Sequence, residues 1–282
     1  MSDLALVSPR AASYRTAPPP RRSPRVSLAT ARFVPWLLPL LLLCGWQIGS
    51  QSGVIADDIF PRPADVLASA ARLTLSAELA HNIAVSFRRA VSGLALGGSL
   101  AFALGLSNGV SRLSERLTDT TLQMLRNIPN LSLIPLVILW FGIDEGAKLF
   151  LTAFGVFFPI YINTFHGVRN VDAQLIEMGR SYGMGRFTLF RRVVLPGALP
   201  SIFVGLRYGL GIMWLTLIVS ETIAADAGIG HMAMQAREFM QTDVVVLAIL
   251  IYAALGKTAD SAVRLLERRT LGWHHAYGRA AR

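Results

Sequence analysis

Long apolar runs alternate with short polar or basic segments along this chain. Six runs approach the length needed to cross a bilayer as helices: residues 33–50, 91–108, 122–141, 148–165, 200–224 and 244–264. The first is centred on four consecutive leucines, Leu40 to Leu43. The second carries Gly93/Gly97 and Gly105/Gly109, a spacing that lets helix backbones approach closely. The third contains Pro129 and Pro135, which a membrane helix tolerates when neighbours resatisfy the freed carbonyls. Between the first two runs, Pro61 and Pro63 precede a short amphipathic helix in a segment of mixed charge. The pattern predicts an all-α, polytopic integral membrane protein of about six transmembrane helices.

Composition agrees. The chain has 282 residues, 53% of them hydrophobic and 16% charged, with a mean hydropathy of +0.48, too apolar for an ordinary soluble domain. Residues 1–32 are rich in Pro, Ser, Ala and Arg and read as a disordered basic tail. Residues 33–265 form the transmembrane domain, and 266–282 a basic C-terminal tail ending in HHAYGRAAR. No small-residue cleavage site follows the first run, so it reads as an uncleaved anchor. Leu43 stands where a lipoprotein cleavage box before Cys44 needs a small residue.

The net charge of +10 is spread between apolar runs, an arrangement that argues against nucleic acid and for membrane topology. With a cytoplasmic N-terminus, nineteen Lys and Arg lie inside and four outside. Both termini and the insert at 171–199 are therefore expected in the cytoplasm. Arg88 and Arg89, at the outer end of the second run, fit this count poorly. The single cysteine, Cys44, excludes an intrachain disulfide or Cys-cluster metal site, and the histidines show no metal-ligand spacing.

The insert holds the most specific pattern. Asp172 is placed as an N-cap and Gly183 as a C-terminal stop for one short helix. A second helix follows, with Phe187, Phe190 and Val194 as an apolar stripe, and Pro196 and Pro200 are expected to end it and open the fifth span. The product is a two-helix bump on the cytoplasmic side. On pattern alone it can grip a soluble partner or lie on anionic lipid.

The segment EMGRSYGMGRFTLFRRVVLP resembles the Glu-Ala-Ala loop of ATP-binding-cassette importer permeases. Glu177, Gly183, Leu195 and Pro196 match that pattern, and Met178 and Gly179 replace its two alanines. The runs QMLRNIPNLSLIPLVILWFGI, FPIYINTFHGVRN, WLTLIVSETI and GIGHMAMQAREFMQTDVVV are similar to permeases of the nitrate/taurine/sulfonate subfamily, most of all those for aliphatic sulfonates. The resemblance implies a MetI-like permease fold in the bacterial inner membrane, with two copies enclosing the pore. It also implies a cytoplasmic ATPase dimer docked on a coupling loop that includes Glu177, Gly183, Phe190, Leu195 and Pro196. An extracytoplasmic binding protein would deliver the solute, a small organic anion, and transport would proceed by alternating access. Taurine and nitrate are alternative solutes. ATP and Mg would bind the ATPase, leaving this chain without cofactor or catalysis.

Individual residues add less. Gly256-Lys257-Thr258 looks like the end of a phosphate-binding loop, but Ile251 occupies the position of its first glycine, and Lys257 reads as an interfacial lysine. Glu221, near the outer end of the fifth span, fits either the translocation path or outer gate, or a structural ion pair. Asn163 and Trp214 are further path candidates, with interhelical bonding and packing as the alternatives. No nucleophile–base pair stands out within the spans. An ion-driven secondary transporter calls for mid-membrane carboxylates and paired inverted halves, and the sequence displays neither.

Overall fold

The computed structural model describes residues 28–52 and 60–273. The tail segments 1–27 and 274–282, to which the sequence assigns disorder and basic character, lie outside the described residues. Among those described the structure is helical: α1 (Leu28–Gln51), α2 (Pro63–Leu75), α3 (Glu78–Val110), α4 (Arg112–Arg126), a 3₁₀ turn (Asn130–Leu133), α5 (Ile134–Phe141), α6 (Glu145–Arg169), α7 (Ala173–Ser181), α8 (Arg186–Leu189), α9 (Leu195–Ala224), α10 (Ile229–Glu238) and α11 (Thr242–Thr270). Of the described residues, those from Leu28 to Gly45 belong to one compact unit and those from Trp46 onward to a second. The first unit holds most of α1, whose apolar portion is Leu37–Gln51.

Within the second unit, four helical segments are long and apolar enough to span a membrane: Glu78–Val110, Glu145–Arg169, Arg186–Ile223 and Thr242–Thr270. α6 lies between α3 and α9 and packs along both. Its contact with α3 follows from the glycines. Gly93, Gly97, Gly105 and Gly109 face Thr152, Ala153, Thr164 and Val168 of α6. At Gly97 a Cβ would fall onto the backbone carbonyl of Ala153, which cannot swing aside. Without a hydrophobic driving force between helices in lipid, such close approach supplies the packing energy.

Gly97→Ala is therefore expected to destabilise the protein by about 1–3 kcal/mol. Gly98→Ala is the control, because a Cβ there meets only the flexible ends of Ile160, at 3.3 Å, and Leu94, at 3.6 Å. Thermal midpoints of the purified protein in detergent test the contrast. Equal midpoints would refute the close-approach argument.

α2 begins with Pro63 at its first turn and carries Asp65 there, where a negative charge suits the helix dipole. Its buried residues Val66, Ser69 and Leu73 lie on one face. The Ser69 hydroxyl bonds to Asp243 at the start of α11, and Trp46 Nε1 donates to the Pro61 carbonyl at 3.0 Å.

Two sequence expectations change. The third run is not one continuous span. α4 and the segment Asn130–Phe141 meet at 86°. Pro129 cannot donate to the helical ladder and disfavours the helical conformation of the residue before it. The second change concerns Pro196. The chain does not break there but passes from α8 through a π-helical turn (Phe190–Val194) directly into α9, making the continuous segment Arg186–Ile223. The wider turn lies where the Pro196 ring would otherwise press on the carbonyl of Arg192 and where its missing N–H leaves that carbonyl unpaired. Pro196 itself sits in the first turn of α9, where a proline is tolerated.

Candidate functional site

The α7–α8 loop is built by local capping. Asp172 Oδ1 accepts from the Gln174 N–H at 2.8 Å and starts α7. Gly183 ends it at φ +75°. Its N–H donates to the Arg180 carbonyl at 2.9 Å, and the Met184 N–H donates to the Gly179 carbonyl at 3.1 Å, the paired bonds of a Schellman stop. α7 then folds back on α8 through Gly179, over which Leu189 packs. Gly179 is one of the two departures from Glu-Ala-Ala, and a Cβ there would stand 2.5 Å from Leu189 Cδ1.

Glu177 and Gly183 are exposed, and Phe190, Leu195 and Pro196 are half-buried. Leu175, Met178, Tyr182 and Phe187 present apolar surface to the outside, Tyr182 and Phe187 being more than 70% exposed. Leu189, not a member of the expected Phe187–Phe190–Val194 stripe, makes the buried contact of this loop. A groove of about 470 Å³ runs beside it between α7 and the start of α9, lined by Leu175, Met178, Tyr182, Val193 and Trp273 among others. The loop thus offers apolar knobs, a groove and the exposed Glu177 carboxylate on a rigidly capped frame.

At the opposite end of α9 lies a buried charge cluster. Glu221 is 1% exposed and Arg89 3%. Glu221 accepts from Arg89 Nη1 at 2.8 Å, from Ser86 Oγ at 2.8 Å, from the Tyr252 hydroxyl at 2.8 Å and from the Gly230 N–H at 3.0 Å. Arg89 also donates through Nε to Glu145 at 2.9 Å and through Nη1 to the Ala227 carbonyl at 2.5 Å. Lys148, itself buried, lies 3.7 Å from Glu145 and donates to the Ile143 carbonyl at 3.0 Å. Two cations therefore face two carboxylates. Ser86 Oγ accepts from the Ile229 N–H and Asn82 Oδ1 from the Gly228 N–H, both at 2.8 Å. Gly228 holds φ +120°, and a Cβ there would stand 2.6 Å from the Glu221 carboxyl.

This cluster ties α3, α6, α9, α10 and α11 together at one end of the bundle. Charge burial in such a setting is costly unless every charge is paired and hydrogen-bonded, and Glu221 meets both conditions. Of the Glu221 partners, the sequence pattern singles out Arg89 alone. The signal is the poor fit of Arg89 to the expected positive-inside count, which marks an arginine in need of a partner within the protein.

The other sequence candidates lie elsewhere. Asn163 donates to the Pro159 carbonyl within α6 at 2.9 Å, and its Cβ lies against Gly205 of α9. Trp214 is buried, packs edge-on against Tyr252 at 6.1 Å between ring centroids, and has an indole N–H without a partner. The structure does not bring Glu221, Asn163 and Trp214 into one site. Near the loop end of the bundle, Arg207 donates to Asp260 at 2.9 Å and lies 3.9 Å from Glu267, so its charge is matched. Among the described residues no group of His, Cys, Asp and Glu could hold a metal ion.

Residues 93–272, which carry α6, the capped loop and most of the charge cluster, match the model of the family described as binding-protein-dependent transport system inner membrane component. The chain belongs to this family. The permease is 57% identical over 246 residues to the aliphatic sulfonates transport permease protein SsuC of Escherichia coli (strain K12), covering 87% of this chain and 94% of that protein. It is 44% identical to the protein of the same name in Bacillus subtilis (strain 168), covering 86% and 87%. To the taurine transport system permease protein TauC of E. coli it is 33% identical, over 84% and 88%. The crystal structure of an amino acid ABC transporter with histidines superposes with a TM-score of 0.56 at 18% identity, over 72% of this chain and 96% of that one; at that identity the likeness speaks for the fold. The permease is thus a multi-pass inner-membrane subunit of an ABC importer.

Proposed function

We propose that this permease forms the translocation pathway of an importer for aliphatic sulfonates. The carrying observation is its 57% identity, over nearly the whole length of the relative, to a permease named for those solutes. In this reading two copies enclose the path, and both termini face the cytoplasm, as the distribution of Lys and Arg favours. The α7–α8 loop receives the ATPase subunit. A capped helix with exposed Leu175, Met178, Tyr182 and Phe187 beside a groove supports docking of a protein partner. ATP and Mg belong to that partner, this chain contributing no catalytic group and no cofactor site. An external binding protein delivers the solute. Glu221 with Arg89 acts as a lock between helices, as its complete set of partners favours.

A strain lacking this permease is expected to lose growth on alkanesulfonates as sulfur source while growing normally on sulfate, with growth restored by the gene. Loss confined to taurine, or growth on alkanesulfonates unaffected, would overturn the assignment of solute.

A further inference from the structure

The broken span delivers an unpaired polar group into the middle of the bundle. Between α4 and the 3₁₀ turn, the chain passes through Asn127, Ile128 and Pro129 and changes direction by 86°. Non-helical backbone at membrane depth is tolerated where it is buried in protein or lines a water-filled cavity. Here the bend sets Asn130 against α6 and α9. A Cβ on Gly155 would stand 3.0 Å from both Asn130 Nδ2 and Thr216 Oγ1, so amide and hydroxyl converge over one glycine. Gly155 lies ten residues after Glu145 and fourteen before Arg169, about 15 and 21 Å along the helix. The site is therefore well inside the span.

Both side-chain polar atoms of Asn130 are sealed from solvent and have no hydrogen-bond partner. The packed amides of Asn82, Asn108 and Asn163 all donate to defined acceptors. A buried amide carries two donors and an acceptor, and leaving them unmade is costly. Thr216 donates to the Met213 carbonyl at 3.1 Å and keeps its acceptor capacity. The cations toward the two ends of the bundle have no such reserve. Arg89 is held by two carboxylates and Arg207 by Asp260. An anion crossing the middle of the bundle would thus meet neutral donors, which can hold it weakly enough for release.

We propose that Asn130, at the break in the third span, lies on the translocation path and offers its amide N–H groups to the sulfonate oxygens of the passing solute, beside Thr216. The identity of the ligand rests on the sulfonate reading; the location does not. In the conformation described, the amide is closed against Gly155, and the path opens there when the 3₁₀ turn separates from α6.

The test uses the complete importer, with ATPase and binding protein, in proteoliposomes. Cys44, the chain's single cysteine, is replaced by serine, and Asn130→Cys is added. The probes are the anionic 2-sulfonatoethyl methanethiosulfonate and its trimethylammonium counterpart, with adducts read by mass on this chain. Modification is expected during ATP turnover and is expected to slow at least tenfold with saturating hexanesulfonate. A cysteine at Leu75, 88% exposed at the end of α2 and outside the candidate spans, should be modified without protection. Absence of modification by either reagent in every nucleotide state overturns the location, as does modification that no solute slows. Protection by nitrate but not by alkanesulfonates keeps the location and overturns the sulfonate reading. Should the cysteine variant fail to assemble, the near-isosteric Asn130→Asp serves instead. It is expected to raise the KM for sulfonate uptake about tenfold, and an unchanged KM overturns the proposal.

Discussion

Replacing Arg89 by alanine will strand the buried carboxylate of Glu221 and take from the exposed Glu145 the cation the two share, leaving Glu145 with Lys148 at 3.7 Å, and the protein is expected to lose about 3–5 kcal/mol of stability, nearly all of it from Glu221. The magnitude follows from the asymmetry of buried ion pairs. Keeping a complete pair is close to neutral compared with apolar packing, whereas removing one partner strands the other charge. Glu221 has Ser86, Tyr252 and the Gly230 N–H as remaining donors, so its loss is cushioned but not cancelled. Glu221→Gln keeps the shape but turns an amide NH₂ toward groups that are themselves donors, and a smaller loss is expected. The double variant Arg89→Met with Glu221→Leu should recover part of the stability, because both charges leave together.

Melting midpoints in detergent and the fraction of monodisperse protein measure all three. If Arg89→Ala melts with the parent while uptake is abolished, the cluster belongs to the transport path and the lock reading fails. If stability falls and the double variant recovers it, the lock reading stands.

Changes at the α7–α8 loop are expected to act in the opposite way, on coupling and not on folding. Gly183 sits at φ +75° with nothing within 4 Å of where a Cβ would be. A side chain there meets backbone strain of about 1–2 kcal/mol and no clash. Gly183→Val should distort the Schellman stop and re-aim α7, and Glu177→Ala should remove an exposed carboxylate from the docking face. Both variants are expected to insert in the membrane and melt near the parent. Uptake is expected to fall tenfold or more, with the ATPase subunit either lost on co-purification or hydrolysing without stimulation by loaded binding protein. Normal uptake by both would remove the loop from the coupling role.

Much of this loop was legible because its structure is local. Asp172 as a cap and Gly183 as a stop need only a few neighbouring residues to be understood. The glycine spacing of α3 likewise announced a close helix contact, though not that α6 would be the partner. Other features were hidden for identifiable reasons. Pro196 carries the same covalent restriction at a helix break and just after a π-helical turn, and only the packing of α8 and α9 chooses between them. Pro129 and Pro135 gave one kind of signal, yet the chain bends sharply at the first, and α5 begins smoothly at the second.

Apolar run lengths, the distribution of basic residues and the capping motif were determined by the sequence itself, since each reports a residue's preference for lipid, water or a local backbone geometry. The tertiary structure alone decided the partners of the buried charges. Glu221 lies 132 residues from Arg89 and 135 from Ser86, and nothing in a one-dimensional pattern says which distant groups will share a low-dielectric site. It also set Asn130 over Gly155 without a partner, because that meeting depends on the angle of a broken helix against two others. Preferences for solvent are properties of single residues, whereas satisfaction of buried polar groups is a property of the whole packed bundle.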